Sequence, residues 1–218
     1  MAERCAREGD AGACQAVPRP QPGGPIRMTP LPTLILASGS PRRRELLQML
    51  GIPFEVRPSH IPEAQAPGEA PVAYAERLAR EKALSVAGDL VLGADTTVLL
   101  DGRLLEKPLD AADALRMLRA LQGRTHEVIT SVALVQGGRV GQATDITRVT
   151  FRPADDDYLR AYIATGEPMD KAGAYGIQGY GAALVERIEG DFFGVMGLPV
   201  RLVLRLLEGA GVTYRFGG

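Results

Sequence analysis

The chain has 218 residues, of which 45% are hydrophobic and 23% charged, so it is long enough and apolar enough to bury the core of a folded domain. Its formal net charge of −1 excludes a general electrostatic attraction to nucleic acid or to an anionic membrane surface. Apolar runs stay well short of the roughly 20 residues that span a bilayer, and both cysteines precede residue 30, which excludes a disulfide framework or a thiolate metal site in the rest of the chain.

The first 30 residues differ in composition from the rest of the chain. Prolines at positions 18, 20, 22, 25 and 30 alternate with Gly, Arg and Gln, and no hydrophobic period is visible. We predict a disordered extension over residues 1–30, without the apolar core of a secretion signal, and one domain over residues 31–218. We expect the protein to be cytoplasmic. A start of the protein at Met28 is the alternative to a genuine extension.

Strands and helices alternate from residue 34 onward. The pattern predicts strands over residues 34–38, 54–57, 90–94, 127–135, 139–151, 184–188 and 212–216. It predicts helices over residues 41–50, 71–87, 110–121, 155–165 and 199–207. The turn Gln136-Gly137-Gly138 joins two of the strands into an antiparallel hairpin. Helices interleaved with a sheet that contains such a hairpin indicate a mixed α/β domain.

The first predicted helix begins in a way that suits an anion. Ser40 is placed to cap the helix through its side chain, and Pro41 suits the first helical position. Arg42 and Arg43 lie in the first turn, where their charge opposes the helix dipole unless an anion sits between them. The pattern fits a phosphate site and a solvated basic turn equally well.

Four charged residues further along the chain are ambiguous when each is taken alone. Asp95 closes the strand predicted over residues 90–94, where a carboxylate can hold a metal ion or a proton at a sheet edge, or can cap loop amides. Lys82 fits either a side chain lying along apolar surface or a point charge aimed at a polyphosphate. Lys107 follows a turn and Glu63 lies in a loop, and no local pattern assigns either of them a role.

Residues 169–181 are more informative. Four glycines and two alanines among these 13 residues let the backbone approach another group closely. Gln178 adds an amide whose donor and acceptor suit the edge of a nucleobase, although a glycine-rich turn without a ligand is the alternative. Beyond residue 30 the remaining catalytic groups are chiefly carboxylates, lysines, arginines and hydroxyls, which favours phosphate chemistry with an oxygen-ligated ion such as Mg²⁺.

Together these segments resemble the Maf family of nucleoside triphosphate pyrophosphatases, from about residue 34 to residue 212. The resemblance rests on seven short motifs that occur in the order the family has them. They are SGSPRR (38–43), REKA (80–83), GADT (93–96), EKP (106–108), THEVIT (125–130), DKAGAYGIQG (170–179) and GLP (197–199). Each motif is weak alone, but the ordered set is very specific.

The resemblance implies a Maf/Ham1 (ITPase-like) α/β fold, in which a mixed sheet carries two lobes that flank a central cleft, often in a homodimer. The implied activity is hydrolysis of a nucleoside triphosphate between its α and β phosphates, with a divalent cation, Mg²⁺ or Mn²⁺. Arg42, Thr96 and Gln178 match the family branch that acts on dTTP and UTP, and the 7-methyl-GTP branch carries other residues there. This chain departs from the family pattern in its N-terminal extension and in Pro62 beside Glu63.

From these residues we hypothesise a mechanism. Glu63 and Asp95 hold the cation, Asp95 is also the general base for water, and Thr96 and Gln178 read the edge of a pyrimidine. We expect Lys82 and Lys107 to reach the triphosphate from the lobe opposite the first helix. The full set expected to bind phosphate is Ser38, Ser40, Arg42, Arg43, Lys82 and Lys107.

Two other functions fit parts of the sequence. One keeps the fold and changes the base, giving a purine enzyme that acts on inosine or xanthosine triphosphate. The other is a non-catalytic regulator of cell division or a nucleic-acid binder. The near-neutral charge and the lack of basic stripes with interleaved aromatic residues argue against nucleic-acid binding. We therefore expect a nucleotide as the partner, and neither nucleic acid nor a membrane.

Overall fold

A seven-stranded mixed sheet forms the centre of the computed structural model, which describes residues 33–216. The strands are β1 (Leu34–Leu36), β2 (Phe54–Val56), β3 (Leu90–Leu100), β4 (Arg103–Leu105), β5 (Thr125–Gln136), β6 (Arg139–Phe151) and β7 (Val185–Glu189). The helices are α1 (Pro41–Met49), α2 (Pro71–Leu84), α3 (Ala111–Leu121), α4 (Asp156–Ala164), α5 (Phe192–Met196) and α6 (Val200–Gly209). Three short 3₁₀ helices cover Glu167–Asp170, Ala172–Ala174 and Gly179–Leu184. The mixed α/β class predicted from the sequence is confirmed.

The strand order explains where a cleft opens. Along the sheet the order is β2-β1-β3-β5-β6-β7, with β1 parallel to its neighbours and the other pairs antiparallel. β5 pairs with one edge of β3, while β1 pairs with the start of its other edge and β4 with the end of that edge. Between β1 and β4, residues 93–97 of β3 have no strand of the described chain on that edge. The break in strand pairing leaves room for a cleft beside this part of β3, although only Thr96 among these residues is partly exposed.

Separate hydrophobic clusters fill the two ends of this long strand and define the two lobes. At the start of β3, buried residues of β1, α1 and α6 pack against Leu90, Leu92 and Ala94. At its end, buried residues of α3, α4 and residues 174–184 pack against Val98 and Leu100. Because β3 and β5 contribute to both clusters, the same strands hold the lobes on either side of the gap.

Helix α2 packs on the face of the sheet opposite α1 and α6, and its backbone lies very close to β3 at Gly93. A Cβ atom at Gly93 of β3 would lie 2.3 Å from the carbonyl oxygen of Ala79 and 2.6 Å from the amide nitrogen of Ala83. A side chain at this position would therefore push the helix away from the strand. Because Gly93 has no side chain, the last turn of α2, which carries Lys82, packs directly on β3.

The structure confirms most predicted elements to within a few residues and corrects two of them. β3 does not end at Asp95 but continues to Leu100, because the β-branched residues after Asp95 extend its ladder with β5. The strand predicted over residues 212–216 is wrong. Gly211 turns the chain at φ +81°, and the amide of Val212 bonds back to the carbonyl of Leu207 at 2.8 Å, so the chain folds against α6 instead of joining the sheet.

Some elements had no clear signal in the sequence, namely β4, α5 and the three 3₁₀ helices. The extension predicted over residues 1–30 lies outside the described residues and stays a prediction. Within residues 33–216, no helix has the length and apolar character needed to cross a membrane.

Candidate active site

A cleft of about 310 Å³ lies at the gap in the edge of β3. All ten residues that the sequence singled out line it: Ser38, Ser40, Arg42, Arg43, Glu63, Lys82, Asp95, Thr96, Lys107 and Gln178. They come from the segments after β1, β2 and β4, from α1 and α2, from β3, and from the loop that precedes the last 3₁₀ helix. Residues that are far apart in the sequence therefore meet in one place.

The N-terminus of α1 faces the cleft without the predicted side-chain cap. Ser40 does occupy the N-cap position, but its side chain makes no capping hydrogen bond within the described structure. Instead, the amide of Ser40 donates to the hydroxyl of Ser38 at 3.3 Å. The first amides of a helix have no partner inside the helix, and without a cap they remain available to an anion in the cleft.

Arg43 is buried and holds the cleft together through all three of its guanidinium nitrogens. Nε donates to the carbonyl of Gly197 at 2.8 Å, Nη1 to the hydroxyl of Ser38 at 2.9 Å, and Nη2 to the hydroxyl of Thr96 at 3.1 Å. Burial lowers the pKa of Arg43 from its ordinary value, and the charge of Asp95 opposes this effect. Arg43 thus brings positive charge to the cleft while its N–H groups orient other cleft residues.

Arg42 connects the two lobes across the mouth of the cleft. Its Nη1 lies 3.2 Å from a carboxylate oxygen of Asp170, in the 3₁₀ helix of the other lobe. Asp170 also receives a bond of 2.6 Å from the ammonium group of Lys171. Asp170 is well exposed, so this ion pair is accessible to solvent and to a ligand.

Lys82 joins two carboxylates on the α2 side of the sheet. Its Nζ lies 2.8 Å from Oδ1 of Asp95 and 2.7 Å from Oε1 of Glu63, with the lysine and Asp95 both buried. Burial raises the pKa of Glu63, but the hydrogen bond and charge of Lys82, with the charges of Lys107 and Arg43, outweigh it and lower that pKa overall. Glu63 is therefore held in its ionised form.

Lys82 and Lys107 reach the cleft from different lobes, whereas both were expected to come from the lobe opposite α1. Lys82 belongs to α2, which packs against β1 and the first half of β3 through the buried cluster that includes Ile35 and Val91. Lys107 follows β4 and comes from the other lobe. The prediction that both reach the cleft from the lobe opposite α1 is wrong for Lys82, because Gly93 draws α2 onto the face that β1 shares.

Asp95 presents one carboxylate oxygen without a partner. It lies within β3, not at a strand end as predicted, and its Oδ2 is buried with no hydrogen bond to any described residue. Two positions along the same face, the hydroxyl of Thr97 is likewise buried and unpaired among residues 33–216. Both residues line a second recess of about 200 Å³, adjacent to the cleft, together with Tyr74 and Glu106. Burial raises the pKa of Tyr74 to about 12, and the charges of Asp95, Glu106 and Glu63 add to this shift.

The donor set near Asp95 fits a magnesium-like ion better than a transition metal. Residues 33–216 contain no group of three or more His, Cys, Asp or Glu side chains placed to hold a metal. Mg²⁺ is commonly bound by one or two carboxylates and completes its coordination with water and phosphate oxygens. Glu63 and the unpaired oxygen of Asp95 meet that requirement.

Thr96 faces the other side of the sheet from Asp95 and belongs to a saturated network. Its hydroxyl accepts from Arg43 and lies 3.0 Å from the hydroxyl of Thr130, which is 2.7 Å from the carbonyl of Gly194. The backbone carbonyls of Gly194 and Gly197, at α5, therefore fix the position of Thr96 through Thr130 and Arg43.

Gln178 lines the cleft together with several apolar residues. Its Oε1 is buried and has no hydrogen-bond partner in the described part of the chain. Apolar residues that line the same cleft include Val98, Val128, Tyr175, Ile177, Val195 and Met196. A planar, partly apolar ligand group can therefore enter here and find one oriented acceptor.

A buried network that supports α5 was missed by sequence reasoning. Asp145 is buried and accepts from Arg201 at 2.6 Å and from Thr147 at 2.7 Å. Asp191 caps α5 by accepting from the amides of Phe193 and Gly194. These residues are distant in sequence and lie in no motif, so no local pattern predicts the network. Asp170 and Thr130, by contrast, lie within motifs that the sequence analysis recognised.

The fold and the cleft define a class: an α/β protein whose two lobes flank a cleft lined by arginine, lysine and carboxylate side chains. A family model described as "Maf-like protein" matches residues 33–210. The chain belongs to the Maf family.

Curated relatives support this assignment. A protein of Moorella thermoacetica named "dTTP/UTP pyrophosphatase" is 55% identical over 185 residues, which cover 82% of this chain and 95% of that protein. Proteins with the same name from Koribacter versatilis and Aromatoleum aromaticum are 53% and 48% identical, each again over 82% of this chain and 95% of the relative. The aligned part is therefore nearly the whole length of these relatives.

Proposed function

We propose that this chain is a nucleoside triphosphate pyrophosphatase that hydrolyses dTTP and UTP to the monophosphate and pyrophosphate. The observation that carries the proposal is the convergence of cations, carboxylates and an unpaired amide oxygen on one cleft. The curated relatives of 48–55% identity bear the name of this activity. Removal of such triphosphates from the nucleotide pool is the role that we infer from the activity.

The phosphates would bind at the N-terminus of α1. A triphosphate carries about four negative charges, and attack by water at the α-phosphorus requires that they be compensated. Ser38, Ser40 and the first amides of α1 offer hydrogen bonds, and Arg42, Lys82 and Lys107 offer charge from both lobes. Arg43 adds charge while it orients Ser38 and Thr96.

Asp95 is the proposed general base. Water attacks the α-phosphorus, its proton passes to a carboxylate oxygen of Asp95, and the bond from the α-phosphorus to the bridging oxygen breaks, so that pyrophosphate leaves. The unpaired Oδ2 is free to take this proton, and the bond from Lys82 to Oδ1 fixes the carboxylate in place. Glu63 would hold Mg²⁺ or Mn²⁺, with Asp95 bonding to a water of the ion so that Oδ2 can still take the proton, and the bound ion would neutralise charge on the phosphates.

Gln178 accounts for a preference among bases. Its amide can accept from N3–H and donate to O4, a pair that uracil and thymine share and cytosine reverses. The free Oε1 is the acceptor that this pairing needs. Thr96 and Arg42, which are placed by Arg43 and Asp170, complete the set of residues proposed to select the substrate.

The test is release of pyrophosphate from a panel of dTTP, UTP, CTP and ITP with Mg²⁺ or Mn²⁺. We expect UTP and dTTP to be hydrolysed much faster than CTP. A preference for ITP would identify the purine enzyme instead, and no release from any nucleotide would support a non-catalytic role.

Asp95→Asn should lower kcat by at least about 100-fold, because the variant keeps the shape of the side chain and loses the base. Asp89→Asn, on an exposed residue, is the matched control. Wild-type turnover by Asp95→Asn would contradict the assignment.

Further expectations rest on the resemblance alone. It supports a homodimer, which sedimentation of the purified chain would test. A cytoplasmic location and the lack of nucleic-acid or membrane partners stay predictions from the sequence.

A further inference from the structure

The loop of residues 176–181, which carries Gln178, is fastened at both ends by two side chains. Glu167 accepts from the amides of Tyr180 at 2.8 Å and Gly181 at 2.9 Å, one with each carboxylate oxygen. The hydroxyl of Tyr162 donates to the same carboxylate at 2.9 Å and accepts from the amide of Gly176 at 3.1 Å. Four hydrogen bonds therefore converge on one carboxylate and one phenol, and they close the loop beneath Gln178.

The glycines of this loop are required by those contacts. A Cβ atom at Gly179 would lie 2.4 Å from Oε2 of Glu167. A Cβ atom at Gly181 would lie 2.2 Å from the carbonyl oxygen of Gly176 and 2.7 Å from the hydroxyl of Tyr162. The close approach that the sequence indicated is thus made, at these two positions, to the protein's own carboxylate, phenol and backbone.

The helix that carries Glu167 also bears the partner of Arg42. Glu167 and Asp170 stand at the two ends of the 3₁₀ helix Glu167–Asp170. One end holds the loop of Gln178, and the other forms the ion pair with Arg42 across the cleft. Two of the three residues proposed to select the base are therefore tied to a single turn of helix.

We propose that Glu167 is a positioning residue for base recognition, which acts by setting the place of the Gln178 amide in the cleft. The inference rests on the proposed function and goes beyond it by naming what orients the selecting group. Hydrogen-bond readout of a base requires placement to within a fraction of an ångström, so release of the loop should weaken discrimination more than it weakens phosphate chemistry.

The experiment compares kcat/KM for UTP and for CTP in the full chain. In Glu167→Gln an NH₂ group replaces one acceptor oxygen and faces an N–H donor or the Tyr162 hydroxyl. The ratio of UTP to CTP should fall by about tenfold, mostly through UTP, since one charge-assisted set of bonds is lost. Glu186→Gln, which makes the same change on an exposed residue of β7, should leave the ratio unchanged.

A double variant separates positioning from general stabilisation. If Glu167 acts through Gln178, then Gln178→Ala alone and Glu167→Gln/Gln178→Ala should show the same UTP to CTP ratio. Tyr162→Phe removes the bond to Gly176 and should shift the ratio in the same direction, and it carries the test if Glu167→Gln does not fold.

The outcomes distinguish this inference from the proposed function. No hydrolysis of UTP by the wild-type chain would overturn the function itself. Hydrolysis of UTP with a ratio that Glu167→Gln and Tyr162→Phe leave unchanged would overturn only the positioning role. A further fall of the ratio in the double variant below that of Gln178→Ala would also overturn it.

Discussion

Asp95 and Thr96 are neighbours in β3 yet belong to opposite faces of the sheet, and their surroundings differ. On the α2 face, Asp95 shares the ammonium group of Lys82 with Glu63 and keeps one oxygen unpaired within residues 33–216. On the other face, Thr96 is held by Arg43 and Thr130, which in turn bond to backbone carbonyls at α5. Asp95 therefore keeps a free acceptor oxygen, whereas the hydroxyl of Thr96 makes its hydrogen bonds within the protein.

This difference indicates that Asp95 belongs to the reactive part of the site, whereas the Thr96 network supports the cleft wall. A buried carboxylate oxygen without a partner is costly to the fold, so its presence is most easily explained by a ligand, water or proton that it receives. A satisfied network fixes the cleft wall rigidly, as a selective site requires. Variants on the two faces should therefore fail in different ways.

The largest effect is expected for Lys82→Met. It leaves the carboxylates of Asp95 and Glu63 without their shared cation, and loss of one partner of a buried pair costs about 4 kcal/mol of unfolding free energy. Denaturant unfolding measures this cost. Lys82→Met/Asp95→Asn should recover much of the stability, since one buried charge is removed, while hydrolysis stays strongly impaired. An unchanged stability of the single variant would mean that water already screens these carboxylates.

The sequence was most useful for the α2 face and for the N-terminus of α1. Short motifs carry these residues, and the alternation of strands and helices brings such motifs to one edge of a sheet. The sequence pattern places the end of β3 wrongly at Asp95, because Asp is uncommon in strands. The pairing of Lys82 with Asp95 and Glu63 was not predicted either, because it depends on how closely α2 approaches Gly93.

The supporting network was the least predictable part of the site. Asp145 and Arg201 are 56 positions apart and bond through a contact that only the packing of α6 on the sheet creates. Arg43 was predicted to bind phosphate, and its three protein contacts depend on Thr96 and Gly197 being brought to it by β3 and α5. Motifs locate reactive groups, whereas the partners that orient them follow from tertiary structure.

Arg43→Lys tests the supporting face and should give the next largest loss of stability. A lysine cannot reproduce the planar fork that binds Ser38, Thr96 and Gly197 together, and two unmade bonds cost about 3 kcal/mol of unfolding free energy. Arg44→Lys, on the exposed side of α1, is the control and should change stability by less than about 0.5 kcal/mol. Equal stability of the two variants would contradict the role given to Arg43.

His126 lies on the Thr96 face and has a buried ring whose hydrogen bonds are only partly made. Its Nε2 lies 2.8 Å from the hydroxyl of Tyr175, but its Nδ1 is buried and unpaired in the described chain, and burial lowers the pKa of His126 to about 4. Above pH 6.5 the ring is neutral in both folded and unfolded chains, so it contributes nothing to the pH dependence. Between pH 6.5 and 4 only the unfolded chain takes up the proton, and stability falls by about 1.4 kcal/mol per pH unit.

The measurement for His126 is the unfolding free energy at pH 6.5 and at pH 5. The wild-type chain should lose about 2 kcal/mol more over this interval than His126→Gln, which can bond to Tyr175 but does not titrate. His60→Gln, on an exposed histidine, should keep the wild-type slope. If the unfolding free energy of His126→Gln fell with pH as steeply as that of the wild type, the buried ring would have to accept a proton in the folded chain at little cost in free energy.

The smallest effect on stability is expected where neither face is involved, at the ion pair of Arg42 with Asp170. The pair spans the mouth of the cleft, but Asp170 is largely exposed, so solvent screens the attraction and Asp170→Asn should cost less than about 1 kcal/mol, and less still at high salt. Thermal unfolding at low and high salt measures both. A loss comparable to that of Lys82→Met would mean that this pair, and not the strands common to both lobes, sets the width of the cleft. A small loss of stability would mean that the ion pair breaks at little cost in free energy, which Arg42 requires if it also contacts the substrate.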